Sequence, residues 1–380
     1  MAPRQPTALL FANTDWYLYN FRLPLARALR AAGYRVHLVS PSGEYASRLS
    51  SDGFDWHAFD FARQGLNPFS EAATLARLTT LYRRIRPTHC HHFTVKCVLY
   101  GSLAARLAGA ARTINAVTGL GHVFLSRSRR IGLLRRPILR LYRLCLRDTD
   151  VIFQNDDDRR AFAAAGVLGQ ARVHVIRGSG VDVERFRPDP ARRFDRTPVS
   201  ILFASRLLWE KGLDELIEAA RTLHARKIDA IVRIAGRPDP GNPSAVPATT
   251  LDAWRAMPNV ELLGHRDDVD RLLAQADIVV LPSHREGTPR ILLEAAAAGL
   301  PLVATDVPGC REIVRGDDNG ILVAERDGKA LADALERLVL DPAMRARMGA
   351  RSREIACAEF AEKQVLAATL EIYRGGQSEE

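Results

Sequence analysis

Short runs rich in Val, Ile, Leu and Ala alternate with amphipathic helical patterns along the whole chain, and such runs predict buried strands. In the first half the predicted strands are 8–12, 35–40, 113–116, 151–154 and 173–176. In the second half they are 200–204, 231–235, 260–262, 278–281, 301–305 and 320–323. Strands that alternate with helices are typical of parallel sheets covered by helices, so the pattern predicts an α/β fold with two parallel sheets.

The length of the chain indicates two domains. Its 380 residues exceed what one ordinary hydrophobic core accommodates. A polar, proline-bearing stretch, RFRPDPARRFDRTP at 185–198, interrupts the alternation and is predicted to be a linker. The expected domains are therefore 1–184 and 199–360, with a last helix and tail at 361–380.

Two glutamates flank a predicted junction between a strand and a helix. Glu286 follows the apolar run 276–283 and a Gly-Thr-Pro break, whereas Glu294 lies in the helix predicted for 291–298. The helical rise separates the two carboxylates by about 8 to 12 Å, too far to share a proton. The spacing suits two anchors for one extended ligand, with helix N-terminal amides facing an anion between them. This geometry indicates a nucleotide-sugar; the alternative is a pair of ordinary surface charges.

Two cations flank the turn that follows another predicted strand. Arg206 and Lys211 lie between the strand 199–204 and an amphipathic helix that begins after Gly212. At the carboxyl end of a parallel strand, Arg and Lys are well placed to bind a diphosphate. Solvated surface charges are the alternative interpretation.

These motifs carry a resemblance to a known family. SRLLWEKG and LPSHREGTPRILLEAAAAGLPLVATDVPGCREIV look like the donor-binding half of family 4 retaining glycosyltransferases with the GT-B fold. NFRLPLARALRAAGYRVHLVSP, NAVTGLG and RGSGVDVERFRP extend the resemblance over nearly the whole chain. Within the family, the chain most resembles bacterial capsule, O-antigen and glycan-assembly transferases that act on undecaprenyl-diphosphate-linked sugars.

The resemblance implies a fold and a reaction. Two Rossmann-like domains would face a cleft, the first binding the acceptor and the second the nucleotide-sugar, and the last helix would cross back to the first domain. The expected reaction transfers a sugar, such as N-acetylgalactosamine or another N-acetylhexosamine, from a UDP-sugar to a lipid-diphosphate-linked saccharide, with retention of configuration. No metal cofactor is expected, because the Asp-x-Asp metal motif belongs to a different glycosyltransferase fold.

The resemblance also implies roles for individual residues. The residues expected to be catalytic are Glu286, Arg206, Lys211 and His91. The donor-binding residues would be Glu294, Gly287, Thr288, Pro289, Arg290, Gly236, Arg237 and His265. The acceptor-side candidates are Asn20, Arg22, Lys96, Thr118 and Gly119.

Aromatic residues replace the glycine pair that many relatives place after the first strand. Trp16, Tyr17 and Tyr19 lie there instead, which indicates an apolar or sugar-stacking acceptor surface. Asn20, in the same loop, could alternatively be a helix N-cap.

Three histidines in THCHHFTVK raise the question of a metal site. On a strand His89 and His91 point to one side and His92 to the other, and no fitting Asp, Glu or Cys lies nearby, so a metal site is not expected. His91 could orient a substrate phosphate, or it could be an ordinary core histidine.

A basic segment at 127–147 indicates contact with anionic lipid, because it carries eight arginines between apolar residues at helical spacing. Pro137 weakens a single continuous helix there, and the alternative is that the apolar residues pack on the first domain. The membrane candidates are Arg129, Arg130, Leu134, Arg135, Arg136, Ile138 and Arg140. Nothing at the N-terminus resembles the apolar core of a signal peptide, so the chain is expected to be cytoplasmic. Together with the basic segment, this predicts peripheral attachment to the inner face of the cell membrane.

Composition limits the remaining possibilities. There are 54 basic and 44 acidic residues, which permits a nucleic-acid partner, but no nucleic-acid module is visible and none is expected. The five cysteines show no metal-like spacing. Two other functions stay open at this point: a UDP-sugar 2-epimerase of the same fold, and a noncatalytic scaffold that binds membranes or polyanions.

Overall fold

The computed structural model describes residues 5–62, 67–117, 129–239 and 241–375, with the backbone alone for 129–136. The chain forms two compact units. The first contains the residues up to Ser179 together with those from Val365 onwards, and the second contains Gly180–Gln364.

The first unit is built on a parallel sheet of seven strands in the order β3-β2-β1-β4-β5-β6-β7. The strands are β1 Thr7–Phe11, β2 Arg35–Ser40, β3 Asp55–Ala58, β4 His89–Phe93, β5 Arg112–Val117, β6 Asp150–Phe153 and β7 Arg172–Val175. The sequence pattern did not predict β3, because this edge strand is only partly buried and has the polar sequence DWHA.

The second unit is built on a parallel sheet of six strands in the order β10-β9-β8-β11-β12-β13. The strands are β8 Val199–Ala204, β9 Ala230–Ala235, β10 Val260–Gly264, β11 Ile278–Leu281, β12 Leu302–Thr305 and β13 Gly320–Val323. All six were predicted, and the predicted bounds differ from the observed ones by at most two residues.

Helices follow most of the strands, as right-handed crossovers between parallel strands require. In the first half they are α1 Asp15–Tyr17, a π-helical turn Leu18–Arg22, α2 Leu23–Ala31, α3 Ala46–Ser51, α4 Pro68–Ile85, α5 Val95–Ala108, α6 Arg129–Leu146 and α7 Asp156–Ala164. In the second half they are a 3-10 turn Trp209–Lys211, α8 Leu213–Ala225, α9 Ala248–Arg255, α10 Val269–Gln275, α11 Arg290–Ala297, α12 Pro308–Arg311, α13 Gly328–Leu340, α14 Pro342–Glu359 and α15 Glu362–Arg374.

Each sheet has one point at which the strand order reverses. In the first sheet this switch point lies between β1 and β4, and in the second it lies between β8 and β11. Loops that leave neighbouring strands in opposite directions open a crevice at the carboxyl edge of the sheet, where ligands of such folds bind. The topology therefore predicts ligand sites at the loops that follow β1, β4, β8 and β11.

The stretch 185–198 is attached to the second unit. Phe186 is buried in that unit's core, and the Arg192 guanidinium donates to the carbonyls of Ala298 at 2.8 Å and Leu273 at 2.9 Å. The last helix belongs to the first unit from Val365 onwards, where Tyr373 is buried in the core beside β1 and β4.

Helix α6 continues through Pro137. Beyond Pro137, Tyr142 and Leu146 are buried in the core of the first unit and Ile138 packs against them, whereas Leu144 is exposed. Arg140 on the same helix is exposed. The side chains of the other membrane candidates, Arg129, Arg130, Leu134, Arg135 and Arg136, lie outside the described part. No described helix is both long enough and apolar enough to cross a membrane.

Candidate functional site

A lysine and a glutamate meet across the switch point of the second sheet. Lys211 lies in the loop after β8 and Glu286 in the loop after β11, and the Lys211 Nζ is 2.6 Å from the Glu286 Oε1. Both side chains are only 13% exposed. The Ser283 hydroxyl donates to the same carboxylate oxygen at 2.7 Å. An ammonium has three donors, so this lysine can bind Glu286 and an anionic ligand together.

Close backbone contacts hold the two loops in place. Gly212 has φ +74°, and a Cβ at this position would lie 1.9 Å from the Pro282 carbonyl oxygen. The His284 amide donates to the Glu210 carbonyl at 2.9 Å, which ties the loops to each other. On the opposite side, a Cβ on Gly309 would lie 2.3 Å from the Gly287 carbonyl oxygen. The position of Glu286 is thus set by backbone packing.

Helix α11 begins directly after this loop. Glu286 precedes the helix and Glu294 lies on it, as the sequence predicts. Glu294 is buried, and the Arg290 Nε is 2.6 Å from its Oε1. Burial raises the pKa of the Glu294 carboxyl, and the charge of Arg290 opposes that shift. Thr288 and Pro289 directly precede the helix, and Pro289 occupies the cap position without a side-chain hydrogen bond to the helix.

The catalytic candidate Arg206 and the remaining donor-binding candidates lie on the loops after β8, β9 and β10. The Arg206 guanidinium pairs with Asp239 at 2.8 Å and is exposed. Gly236 has φ +151°, and a Cβ there would lie 1.9 Å from the Ser205 carbonyl oxygen, so these two loops are in backbone contact. The Arg237 carbonyl accepts from the Leu207 amide at 3.0 Å.

His265, on the loop after β10, is exposed and lies 3.3 Å from Asp267. No described contact joins it to Lys211 or Glu286.

One pair of residues at the site was missed by the sequence reasoning. The His284 Nε2 lies 2.9 Å from Glu215 Oε1, and the other carboxylate oxygen of Glu215 is buried without a hydrogen-bond partner among the described residues. The signal was available, because His284 directly follows the strand in LPSHREG. Its partner lies 69 residues earlier on α8, and periodicity does not predict such a contact.

Arg22 and His91 lie at the switch point of the first sheet. The Arg22 guanidinium donates to the Tyr17 hydroxyl at 2.7 Å and lies 4.4 Å from the centroid of the Phe93 ring. His91 is buried, and its Nδ1 is 3.1 Å from the Tyr373 hydroxyl. Burial and the nearby charge of Arg22 hold the pKa of His91 well below its usual value, so the imidazole is neutral.

Arg22 and His91 each have one buried nitrogen that lacks a hydrogen-bond partner among the described residues. These atoms are the Nε of Arg22 and the Nε2 of His91. Such groups are uncommon in folded proteins and are costly unless a ligand or water satisfies them.

The three neighbouring histidines are oriented as predicted. His89 and His91 both contact Tyr373, whereas His92 faces the other side, where its Nδ1 is 2.9 Å from the Asn115 side-chain oxygen. Among the described residues, no three His, Cys, Asp or Glu side chains are grouped to hold a metal ion.

The other acceptor-side candidates are separate from this cluster. The N-cap interpretation of Asn20 was wrong: the helical segment begins earlier, at Asp15, and its cap is Thr14, which accepts from the Tyr17 amide at 3.0 Å. The Asn20 amide donates to the Trp16 carbonyl at 3.0 Å. Lys96 pairs with Glu71 at 2.9 Å. Thr118 and Gly119 lie outside the described residues.

Comparison with known proteins identifies the family. Residues 186–355 match the glycosyl transferases group 1 family, and residues 8–156 match the glycosyl transferase 4-like family. The chain is similar to an N,N'-diacetylbacillosaminyl-diphospho-undecaprenol α-1,3-N-acetylgalactosaminyltransferase of Campylobacter jejuni, with 28% identity over 86% of this chain and 88% of that protein.

Two further similarities agree with this family. A GDP-mannose-dependent α-(1-6)-phosphatidylinositol monomannoside mannosyltransferase of Mycobacterium tuberculosis is 30% identical over 71% of each chain. The structure of Anabaena HepE in complex with UDP and glucose superposes with a TM-score of 0.77, at 19% identity, over 97% of this chain and 99% of that one. The chain therefore belongs to the group 1, glycosyl transferase 4-like family of glycosyltransferases and has the GT-B fold.

Proposed function

We propose that this glycosyltransferase moves an N-acetylhexosamine, such as N-acetylgalactosamine, from its UDP form to a saccharide carried on undecaprenyl diphosphate, in the assembly of a bacterial surface or glycoprotein glycan. The observation that carries the proposal is the contact between Lys211 and Glu286 at the switch point of the second sheet, beside the start of α11. A cation, a carboxylate and helix N-terminal amides there match a diphosphate joined to a sugar.

The main requirement of the reaction is to stabilise the leaving group, the nucleoside diphosphate, as negative charge develops on it. The bond from the anomeric carbon to the diphosphate oxygen breaks, a bond to the acceptor oxygen forms, and the acceptor proton passes to the diphosphate. Lys211 and Arg206 would stabilise the negative charge that develops on the diphosphate. Glu286 would hold a hydroxyl of the donor sugar, and buried Glu294 would accept hydrogen bonds from the ribose.

The diphosphate also explains how configuration could be retained. The acceptor would attack from the face that the diphosphate leaves, and the departing oxygens would take the acceptor proton. No carboxylate nucleophile is needed, because the acceptor oxygen itself forms the new bond to the anomeric carbon. No metal ion is needed, because Lys211 and Arg206 would supply the positive charge.

The names of similar proteins support the choice of substrates. The Campylobacter jejuni protein is named for an undecaprenol-diphosphate acceptor, and the Anabaena structure contains UDP. We further propose peripheral attachment to the cytoplasmic face of the cell membrane, supported by the exposed Arg140 and Arg143 on α6. Each cation near anionic headgroups contributes about 1 kcal/mol to such attachment.

The test is to incubate the purified protein with a panel of UDP-sugars and undecaprenyl-diphosphate-linked monosaccharides in EDTA. UDP release, the mass of the lipid product and the anomeric configuration of the new linkage would be measured. The proposal expects a mass gain of one N-acetylhexosamine, an α linkage from an α donor and no effect of EDTA.

Other outcomes would assign a different activity. A 2-epimerised sugar formed without acceptor would identify an epimerase. UDP release with another acceptor alone would disprove the proposed lipid substrate.

A further inference from the structure

The π-helical turn after β1 brings side chains five residues apart into contact. Backbone hydrogen bonds in a π-helix link residues i and i+5, and such turns are rare and often occur at functional sites. The rings of Trp16 and Phe21 are edge to face with centroids 5.3 Å apart, and the Arg22 guanidinium bonds the Tyr17 hydroxyl at 2.7 Å. Tyr17 also stacks on Phe21 with centroids 5.2 Å apart. We call Trp16, Tyr17 and Phe21 the aromatic platform.

The backbone under the platform is fixed. The Asp15 carboxylate is buried and accepts the amides of Trp16 and Tyr45, each at 2.8 Å. Gly43 packs so closely on this carboxylate that an added Cβ would lie 2.4 Å from an oxygen. Tyr17 rests on Phe93 of β4 with centroids 5.9 Å apart, so the platform is anchored to strands on both sides of the switch point.

Trp16 is the most exposed ring of the aromatic platform, since Tyr17 and Phe21 are partly buried. Trp16 is 45% exposed and is the one exposed large apolar side chain within the described residues 5–62. The main chain of Trp16 is held by polar side chains: the Asn20 amide donates to its carbonyl, and its own amide donates to the Asp15 carboxylate. One exposed ring beside two partly buried rings offers too little apolar area for a protein partner, which needs about 1,000 Å². Its size matches the C–H face of one sugar ring.

We propose that the aromatic platform binds the acceptor saccharide by stacking Trp16 on the apolar face of a pyranose ring. This inference rests on the proposed function, because it assigns the acceptor of that reaction. The platform would position the attacking sugar at the carboxyl edge of the first sheet, where doubly wound folds bind their ligands. Trp16 is then a positioning residue that determines which acceptors are used.

The test compares Trp16→Ala with Trp16→Tyr, which keeps an aromatic face. Leu107→Ala, which removes another exposed apolar side chain from the first unit, is the matched control. The acceptor should be a monosaccharide on a short alkyl diphosphate, so that membrane affinity does not contribute. We expect Trp16→Ala to raise the acceptor KM about tenfold, a typical effect of losing one aromatic stack. The donor KM should stay constant, and Trp16→Tyr should stay close to the wild type.

A second measurement separates this inference from the proposed function. Saturation-transfer NMR with the methyl glycosides of N-acetylglucosamine and N-acetylgalactosamine detects binding without turnover. If the wild type transfers no sugar but saturates pyranose ring protons, and Trp16→Ala does not, the platform is supported while the proposed reaction fails. If Trp16→Ala leaves both the acceptor KM and the saturation unchanged, the platform inference is overturned.

Discussion

The Nζ of Lys211 lies 2.6 Å from the Oε1 of Glu286, although the two residues are 75 positions apart in the chain. The contact joins the loops after β8 and β11, so a change at either residue affects both loops.

We expect Lys211→Ala to lower kcat/KM by roughly 100- to 1,000-fold, the usual loss when one preorganised charge is removed from a developing anion. UDP-release kinetics would measure this loss, and thermal unfolding would show that the variant folds. Lys329→Ala removes an exposed lysine from α13 in the same unit and should behave as the wild type. Near-normal turnover by Lys211→Ala would remove this residue from the catalytic assignment.

Gly309→Ala should displace the loop that carries Glu286, because the new Cβ would lie 2.3 Å from the Gly287 carbonyl oxygen. Displacing a catalytic group by about 1 Å can cost roughly a hundredfold in rate, so we expect a loss of that order in kcat. Gly316→Ala provides the matched control, because nothing lies within 4 Å of its added Cβ. Equal activity of the two variants would show that this contact does not fix the loop.

Asp150→Asn should lower the free energy of unfolding by about 2 to 4 kcal/mol, since it breaks a buried ion pair whose cations are partly exposed. The Asp150 carboxylate is buried and receives Arg112 and Arg172, each at 2.9 Å, and His174 at 3.0 Å. Urea unfolding would measure the change, and exposed Asp148→Asn is the control.

The ion pairs of Asp150 also predict that the stability of the protein depends on pH. Burial raises the pKa of Asp150, but the hydrogen bonds from His174, Arg172 and Arg112 outweigh burial and hold the pKa well below its usual range. The stabilisation is therefore present above the unfolded-state pKa of about 4 and is lost as the pH falls below it. Asp150→Asn should reduce the dependence of the unfolding free energy on pH below about pH 4. An unchanged pH dependence would contradict the stabilising role of the Asp150 ion pairs.

His37 predicts a second pH effect at milder acidity. Its Nδ1 lies 2.9 Å from the His57 Nε2. Burial lowers the pKa of His37 from 6.5 to about 4; Asp55 opposes the shift, and His57 and Arg35 add to it. As the pH falls, the unfolded chain binds a proton at His37 before the folded protein does. The contribution of His37 to stability is therefore fully present above pH 6.5 and is lost progressively towards pH 4.

We expect a loss of about 2 kcal/mol in unfolding free energy between pH 7.5 and pH 5 from this histidine. His37→Gln should remove that part of the slope, whereas His224→Gln, which changes an exposed histidine, should keep it. Parallel slopes for the wild type and His37→Gln would show that His37 does not carry the effect.

The regular parts of the fold could be predicted from the sequence because each strand of the second sheet is a short, mainly apolar run. Glu286 and Lys211 could be singled out for the same reason, since each follows such a strand. Their contact could not be predicted, because local periodicity does not determine that β8 and β11 are neighbours. The strand order supplies that information.

The features that were not predicted depend on contacts distant in sequence or on unusual backbone. The ion pairs of Asp150 could not be predicted, because its cations Arg112 and Arg172 come from β5 and β7. The π-helical turn Leu18–Arg22 has an ordinary composition, and Thr94 adopts φ +72° although it is not glycine. No local sequence rule predicts either conformation.

The hydrogen bond between His91 and Tyr373 has a consequence for synthesis. The two residues are 282 positions apart, and the helix that carries Tyr373 completes the core of the first unit. On the ribosome, all of the chain for Gly180–Gln364 is available before that helix has been made. The first unit therefore receives its last core helix only after the whole second unit has been synthesised. This is the reverse of the usual order, in which the N-terminal domain is complete first.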